Sequence, residues 1–311
     1  ADSGDTTKYP LAKEQYDLLI NQYGEAKKQD TYLGRLMRYY IRMDDLAQVL
    51  QYKDIFYPQK LNALSADDLT ELSGYLLDKR YGSLRPSEQG LRIRIEDVRP
   101  LLEAALKKDE SNPLALYNLG RYSLFTHTGR AADIFQSTLD AFKKRSRLNR
   151  KDTYTFINTY RLLGEEYVDS KEYIPAQRAY NDGIALFESE NKNASLESTE
   201  DIGKLYADLG DINYFINGAM DAALDNYTQS VENKNDNASV RYKIGYIQYT
   251  NQNLREAQGS FTLGLDSDDK DEHLLLALAN TLSLLDSHWA AQGYYERLLG
   301  ILNTDFEKFK V

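Results

Sequence analysis

Apolar residues recur at helix spacing through most of this 311-residue chain. Leu69, Leu72, Leu76 and Leu77 repeat every three to four residues, which places them on one face of a helix. Ser65 precedes them at the position expected for a helix N-cap. The pattern predicts amphipathic helices, with a loop at residues 82–90, where proline and glycine interrupt the spacing.

The same spacing predicts a helix around Leu46, Val49 and Leu50, with a partner helix near Tyr32-Leu33-Gly34. One short segment departs from this helical spacing. Residues 91–95 alternate apolar and basic side chains, which fits a short strand and the start of a helix equally well.

The second half of the chain repeats with a period of 34 residues. Ala223, Ala257 and Ala291 are spaced by 34, and an aromatic residue follows each of them by four positions. Leu209-Gly210, Ile244-Gly245 and Leu278-Ala279 recur at nearly the same interval. A fixed period of this length is typical of stacked helical hairpins.

Glycine inside a helix costs about 1 kcal/mol relative to alanine, so Gly245 needs a packing reason. We expect Gly245 and Ala257 to face each other on two antiparallel helices, where small side chains let the backbones approach, and Phe261 to fill the space beside them. Ala257→Leu should then destabilise the protein by about 1–3 kcal/mol through overpacking.

These motifs resemble the tetratricopeptide repeat, a 34-residue helix–turn–helix unit. The best match is Tyr160-x2-Leu163-Gly164-x2-Tyr167, followed by Ala176-x3-Tyr180 and Gly183. Tyr206-x2-Leu209-Gly210 with Ala223-x3-Tyr227 is a second match, and Leu116-x2-Leu119-Gly120 with Ala131-x3-Phe135 is a looser third. The resemblance covers about residues 98–300. It implies an all-α fold, a right-handed superhelical solenoid of antiparallel helix pairs, whose first helices line a concave surface.

The resemblance divides the chain into repeats and flanking segments. We expect a flexible stretch at 1–9, diverged hairpins of the same solenoid at 10–110, and a C-terminal helix or the start of a further repeat at 303–311. A separate helical domain at 10–110 is the alternative. Repeats are predicted at about 111–146, 150–188, 200–234, 238–268 and 271–302. The intervals Ala131–Ala176 and Ala176–Ala223 are too long; we assign the extra length to longer helices and to a loop at 188–200.

Composition narrows the classes of function. The formal charge of −10 argues against a general nucleic-acid binder, and no apolar run approaches the length of a transmembrane helix. The chain contains no cysteine, which excludes disulfides, thiolate metal sites and a cysteine nucleophile. Together with the polar start that lacks methionine, this favours a bacterial periplasmic or cell-envelope protein; a cytoplasmic location is the alternative.

The search for catalytic residues finds none. His127, His273 and His288 lie far apart without metal-ligand spacing. Residues 266–272 are acidic but lack the glycine and the final glutamate of a calcium loop, so we interpret them as a turn that caps the next helix. No phosphate loop, dinucleotide fingerprint or nucleophile elbow is present. We therefore expect no enzyme activity, no metal and no cofactor.

Tyrosine is unusually frequent, with 25 residues. In the first helix of the 238–268 repeat, the stripe formed by Tyr242, Tyr246 and Tyr249 lies about 200° from an aliphatic stripe, so the two stripes face opposite sides. Tyrosines on a concave face suit peptide recognition, although they could equally fill gaps between first helices. The predicted groove residues are Tyr117, Arg121, Asn158, Arg161, Glu165, Lys204, Asp211, Tyr214, Tyr242, Tyr246, Tyr249 and Asn280.

A second candidate surface is basic. Six cations lie within nine residues: Lys143, Lys144, Arg145, Arg147, Arg150 and Lys151. Such a run suits a solvated helix C-terminus, where cations complement the helix dipole. The alternative is a docking patch for an acidic partner or for lipid head groups.

The sequence thus predicts a non-enzymatic scaffold that binds a peptide segment or partner protein in a tyrosine-rich concave groove and organises a multiprotein assembly. The alternative is a structural subunit of a bacterial cell-envelope assembly that uses its convex face and its ends. Either way, the partner is a protein rather than nucleic acid, and the chain is a monomer or a subunit of a larger assembly.

Overall fold

In the computed structural model, the described backbone covers residues 11, 14–15, 18, 26–82, 84–194 and 196–308. These residues form fourteen α-helices and no strand. The helices are α1 (Ala26–Arg42), α2 (Leu46–Phe56), α3 (Ala66–Tyr81), α4 (Val98–Lys108), α5 (Pro113–Thr126), α6 (Ala131–Lys143), α7 (Arg150–Asp169), α8 (Tyr173–Ala194), α9 (Glu200–Asp211), α10 (Met220–Glu232), α11 (Ala238–Thr250), α12 (Leu254–Ser267), α13 (Glu272–Leu284) and α14 (His288–Lys308). The predicted all-α helical-repeat fold is confirmed.

Side-chain caps fix many of the helix starts. Ser65 and Asp68 form a reciprocal capping box at the start of α3, as the sequence predicts. Asn112 caps α5, with Pro113 in the first helical position, where its missing N–H is not needed. Asp271 accepts the backbone N–H of Leu274 at 2.9 Å and so caps α13. The interpretation of the acidic segment 266–272 as a capping turn is confirmed at that residue.

The chain divides into two compact units, and the boundary falls after Thr159, within the residues of α7. In the first unit α1 packs on α2, α3 on α4 and α5 on α6, and the first helices of these pairs also contact one another. The buried core includes Met37, Val49, Leu69, Leu72 and Leu101. The helices predicted around residues 32–53 and 66–77 are therefore present, and their apolar faces are buried.

The first unit also buries charge, which the sequence pattern does not reveal. The Lys53 ammonium lies 2.6 Å from Asp97 Oδ2, and both side chains are almost fully buried. Lys79 and Glu88 form a second buried pair at 2.9 Å, which ties the loop at 82–90 to α3. Hydrogen bonds from Arg85 and Lys79 lower the pKa of the Glu88 carboxyl to about 2, so this carboxylate stays ionised at neutral pH.

The segment that could be read as a strand is irregular. Residues 91–94 form no regular element, and Ile95–Asp97 is a single 3₁₀ turn that leads directly into α4. Of the two alternatives left open by the sequence, the strand is wrong. The side chains alternate because Ile93 is buried in the core while its neighbours Arg92 and Arg94 are more exposed.

In the second unit, helix pairs follow one another as α9/α10, α11/α12 and α13/α14, each pair packing on the next. In the first two of these pairs, a glycine of the first helix lies beneath an aromatic ring of the second. A Cβ on Gly245 would lie 2.5 Å from Phe261 Cε1, and one on Gly210 would lie 2.7 Å from Tyr227 Cε1. Gly164 meets the Tyr180 ring in the same way. The prediction that Phe261 packs beside Gly245 is confirmed. Ala257 is fully buried in α12, and its position opposite Gly245 stays a prediction.

The extra length between Ala131 and Ala223 lies mainly in two long helices. α7 has 20 residues and α8 has 22, against 13 in α11. The predicted loop at 188–200 is wrong over most of its length, since α8 continues to Ala194. No glycine or proline interrupts this polar stretch, and Phe187 buries its side chain immediately before it.

Two terminal predictions fall partly beyond the described residues. The stretch predicted to be flexible, 1–9, lies outside them. At the other end, residues 303–308 continue α14, and 309–311 are again outside the described part.

Within the described residues, no helix is both long enough and apolar enough to cross a bilayer. The division of the chain into repeat and flanking domains stays a prediction.

Candidate functional site

The two stripes of α11 separate as the sequence predicts. Val240, Ile244 and Ile247 are buried in the core, whereas Tyr246 is 40% exposed. Tyr242 and Tyr249 are half-buried and pack against the hydrophobic cluster of α12–α14. One stripe therefore builds the repeat, and the other reaches the surface only in part.

The tyrosines of this stripe differ in their surroundings. The Tyr242 ring lies 6.1 Å from Phe261 and 5.9 Å from His273, so Tyr242 fills the gap between α11 and α13. Tyr246 lies 6.0 Å from Tyr242 on the open side. Burial raises the pKa of both Tyr242 and Tyr214, and the nearby Tyr246 hydroxyl raises each further. Tyr246 is therefore the member of the stripe best placed to contact a partner.

A π-helical turn follows α9. Ile212–Ile216 widens the helix, and the Asn217 N–H donates to the Ile212 carbonyl at 3.1 Å. This turn leaves Phe215 65% exposed and Ile216 45% exposed. Isolated π turns occur often at functional sites, because the extra residue re-aims the side chains around it.

A pocket of about 390 Å³ lies beside this turn, within the second unit. Tyr173 and Tyr180 of α8 contribute to its wall, together with Ile212, Phe215 and Ile216 of the π turn. The pocket therefore combines an apolar and aromatic lining with a mouth at which large apolar side chains are exposed. This composition is common in sites that bind a ligand or a peptide side chain.

Four carboxylates also line the pocket: Glu165, Asp169, Asp208 and Asp211. Glu165 and Asp211 belong to the groove predicted from the sequence. Arg161 forms an ion pair with Glu165. Lys243 lies 2.6 Å from Asp211 Oδ1, and the Tyr227 hydroxyl donates to the same oxygen at 2.7 Å. These contacts link α9, α10 and α11 and hold the charge of Asp211 in place.

Asp208 is the least satisfied of the four. Its Oδ2 atom is buried and accepts no hydrogen bond from any described residue. Arg161 Nη1 lies 3.9 Å from this oxygen, which is close enough for an ion pair but too long for a hydrogen bond. Burial raises the pKa of the Asp208 carboxyl to about 7, with Glu165 adding to the effect and Arg161 opposing it.

The remaining predicted groove residues are spread over both units. In the first unit, Asn158 donates to the Tyr117 hydroxyl at 2.8 Å, and Arg121 contacts Asp78 at 2.6 Å. In the second unit, Lys204 pairs with Glu200 of its own helix at 2.7 Å. Asn280 Oδ1 accepts from the Tyr295 hydroxyl at 2.6 Å. The structure brings together Arg161, Glu165 and Asp211 around the pocket and Tyr214, Tyr242 and Tyr246 beside one another.

The basic run extends from the end of α6 through the connecting loop to the start of α7. Lys143 is the last residue of α6, and Arg150 and Lys151 begin α7, so Lys144, Arg145 and Arg147 lie between the two helices. All six side chains are exposed. The interpretation as a solvated helix C-terminus therefore fits Lys143 and the C-cap residue Lys144, and docking at this patch stays a prediction.

Sequence reasoning missed several residues of the pocket, namely Asp208, Tyr173, Phe215 and Ile216. One signal was available. Thirteen positions separate Gly210 from Ala223, against twelve from Gly245 to Ala257. A π turn inserts one residue into a helix, so this longer spacing marks the place where the π turn forms.

The described residues contain no group of three or more side chains suited to hold a metal ion. The three histidines are far from one another in the fold's element order. His127 ends α5 with a left-handed backbone conformation, His273 lies beside Tyr242, and His288 starts α14. The chemistry that this arrangement supports is recognition by charge and apolar contact.

Known structures share the fold. The PilF protein of Pseudomonas aeruginosa aligns with a TM-score of 0.57 and 14% identity, over 79% of this chain and 96% of its own. YrrB, a TPR protein with an unusual peptide-binding site, aligns with a TM-score of 0.49 and 15% identity, over 64% and 91%. No protein-family model matches the sequence, and no curated protein matches it significantly. The protein has the tetratricopeptide-repeat fold.

Proposed function

We propose that this protein is a non-enzymatic scaffold whose second unit binds a peptide segment of a partner protein. The binding surface consists of the pocket at residues 165–216 and the exposed edge of the tyrosine cluster. We call it the pocket surface and define it by Glu165, Asp208, Phe215, Ile216 and Tyr246. The partner is a protein, and the scaffold organises it within a larger assembly.

The observation that carries this proposal is the exposed apolar mouth of a formed pocket. Phe215 and Ile216 project from the π turn, whereas a helix buries its large apolar side chains where packing allows. A pocket of about 390 Å³ can accommodate one or two side chains of a bound segment. Rigid aromatic groups such as Phe215 and Tyr246 give contact area at low entropic cost.

Stacked helix pairs also explain why such a surface is available. In α11 the aliphatic stripe is buried in the core, and on the opposite stripe Tyr246 remains exposed and available to a partner, while Tyr242 and Tyr249 are half-buried. The nine residues of the predicted groove that lie in the second unit stay part of the proposal. The structure-based choice among its members is Glu165, Asp211, Tyr214 and Tyr246, because they lie on or beside the pocket surface.

Selection from a random peptide library displayed on phage tests the proposal. Immobilised wild-type protein should enrich peptides that bind with micromolar affinity, measured afterwards by fluorescence polarisation. Phe215→Ala and Tyr246→Ala should each weaken the enriched peptides about tenfold, because exposed anchors contribute to binding more than to folding.

Trp289→Ala is the matched control, since Trp289 is a 90% exposed aromatic residue of the same unit that lies on α14. It should leave peptide affinity unchanged. Failure to enrich any peptide would contradict the proposal, and so would equal binding by the Phe215→Ala and Tyr246→Ala variants.

A second candidate function is that of a structural subunit in a bacterial cell-envelope assembly, contacting neighbours through its end. The exposure of Trp289, Leu299 and Leu302 on α14 favours it, because a set of exposed large apolar side chains is typical of a protein–protein contact surface. Loss of partner binding in Trp289→Ala, with Phe215→Ala unaffected, would support this alternative over the pocket surface.

A further inference from the structure

The pocket surface carries more acidic than basic charge. Four carboxylates line the pocket, and two cations contact them: Arg161 pairs with Glu165 and lies 3.9 Å from Asp208, and Lys243 pairs with Asp211. Because the carboxylates outnumber these cations, the pocket has a negative potential inside walls that are largely apolar. Low-dielectric walls strengthen this potential, which favours a ligand with positive charge.

Asp208 identifies where that charge would be placed. Its Oδ2 atom is shielded from solvent, yet it accepts no hydrogen bond from the described residues. A buried oxygen without a partner is unfavourable and rare in folded proteins. The Asp208 side chain as a whole is still 27% exposed and lines the pocket, so a cationic donor in the pocket can approach this carboxylate. Hydrogen bonds between charged groups are the strong ones.

We propose that the pocket receives a lysine or arginine side chain of the bound peptide, which pairs with Asp208, while a neighbouring apolar residue packs on Phe215 and Ile216. This inference rests on the proposed peptide-binding function and specifies the chemistry of the segment that binds. Tyr173 and Tyr180 provide aromatic faces beside the carboxylates, and such faces also attract cations.

The electrostatics of the pocket support the same assignment. Glu165 and Arg161 face Asp208 from α7, Tyr180 from α8, Asp211 from α9 and Lys243 from α11. The balance of these groups and burial raises the pKa of Asp208 to about 7. A cationic ligand selects the ionised carboxylate, so its affinity should rise with pH across the neutral range and fall below it.

A synthetic library of nonapeptides tests this inference. The central residue is fixed as arginine, lysine, citrulline or glutamate, and the other eight positions are random. Wild-type protein should retain the arginine and lysine sublibraries about tenfold more than the citrulline sublibrary, and the glutamate sublibrary least. Citrulline keeps the shape of arginine without its charge, so it isolates the ion pair.

The pH dependence provides the second readout. The affinity of the best arginine peptide, measured by fluorescence polarisation, should fall about tenfold from pH 8 to pH 6, because Asp208 becomes mostly neutral over this range. Asp208→Asn should remove both the preference for arginine over citrulline and this pH dependence. Asp225→Asn removes an exposed carboxylate of α10 outside the pocket and should keep both.

The outcomes separate this inference from the proposed function. Equal retention of the arginine and citrulline sublibraries would overturn the inference and leave peptide binding intact. Retention of none of the four sublibraries would overturn the proposed function itself. A preference for arginine that survives in Asp208→Asn would also contradict the inference, since another carboxylate would then hold the cation.

Discussion

Phe261→Ala is expected to lower the free energy of unfolding by about 3–5 kcal/mol. The Phe261 ring is almost fully buried and lies against Gly245 of the preceding helix, where no side chain can move in to replace it. Chemical denaturation of the purified protein measures the effect. Phe215→Ala, at an exposed phenylalanine of the same unit, is the control and should change stability by less than about 1 kcal/mol.

The companion substitution tests the reason for the loss. Gly245→Ala should destabilise the protein by about 1–3 kcal/mol, because its Cβ would lie 2.5 Å from the Phe261 ring. In the Phe261→Ala background the same change should be neutral or favourable, since the ring is gone and alanine is the better helix former. Gly259→Ala, which has open space around its Cβ, should stabilise slightly. If the losses of unfolding free energy in Gly245→Ala and Phe261→Ala simply add in the double variant, the Phe261 ring does not pack on Gly245.

Asp97→Ala is expected to have an effect of similar size, a loss of about 3–5 kcal/mol in the first unit. It leaves the ammonium of Lys53 buried without its partner at 2.6 Å, although the exposed Asp54 remains 3.1 Å away. Replacing both residues, as Lys53→Met with Asp97→Leu, should recover much of the loss, because two apolar side chains need no counter-charge.

The comparison pair for this experiment lies on the surface of the same unit. Arg99 and Glu103 form an exposed ion pair one turn apart in α4, at 2.8 Å. Glu103→Ala should change the free energy of unfolding by less than about 0.5 kcal/mol. A loss in Asp97→Ala no greater than this would show that Lys53 relaxes to solvent and that the buried pair contributes little.

Much of the fold follows from local sequence features. The Ser65 cap, the 34-residue period and the glycine–aromatic pairs predict helix starts, repeat spacing and the packing of each pair, because these features act over one or two helices. The loop at 188–200 was wrong because polar composition alone does not end a helix when neither glycine nor proline is present. The first unit's Lys53–Asp97 pair joins residues 44 positions apart, and no periodicity encodes such a contact.

The candidate site was predictable only in part. Glu165, Asp211 and Tyr246 could be placed on the exposed side of the first helices, since the repeat determines which stripe is buried. Asp208 could not be placed in the same way. Its position depends on how α7, α8 and α9 close around the pocket and on the π turn that follows, and both depend on tertiary packing.

Asp208 connects the stability of the protein with its proposed function. A carboxyl group whose pKa is raised by burial opposes folding when it is ionised. The unfolded state releases its proton near pH 4 and the folded state near pH 7, so stability should decrease as pH rises through this window. A residue that lowers stability at neutral pH and faces an open pocket is typical of a binding site.

The most direct test of this account is the unfolding free energy of Asp208→Asn at pH 8 and pH 4, measured together with the affinity of the best arginine peptide at pH 8. The account predicts a gain in stability of about 2 kcal/mol at pH 8, almost none at pH 4, and about a tenfold loss of peptide affinity. Lower stability at pH 8 with unchanged affinity would contradict it, because Asp208 would then serve the fold, through Arg161, rather than a partner.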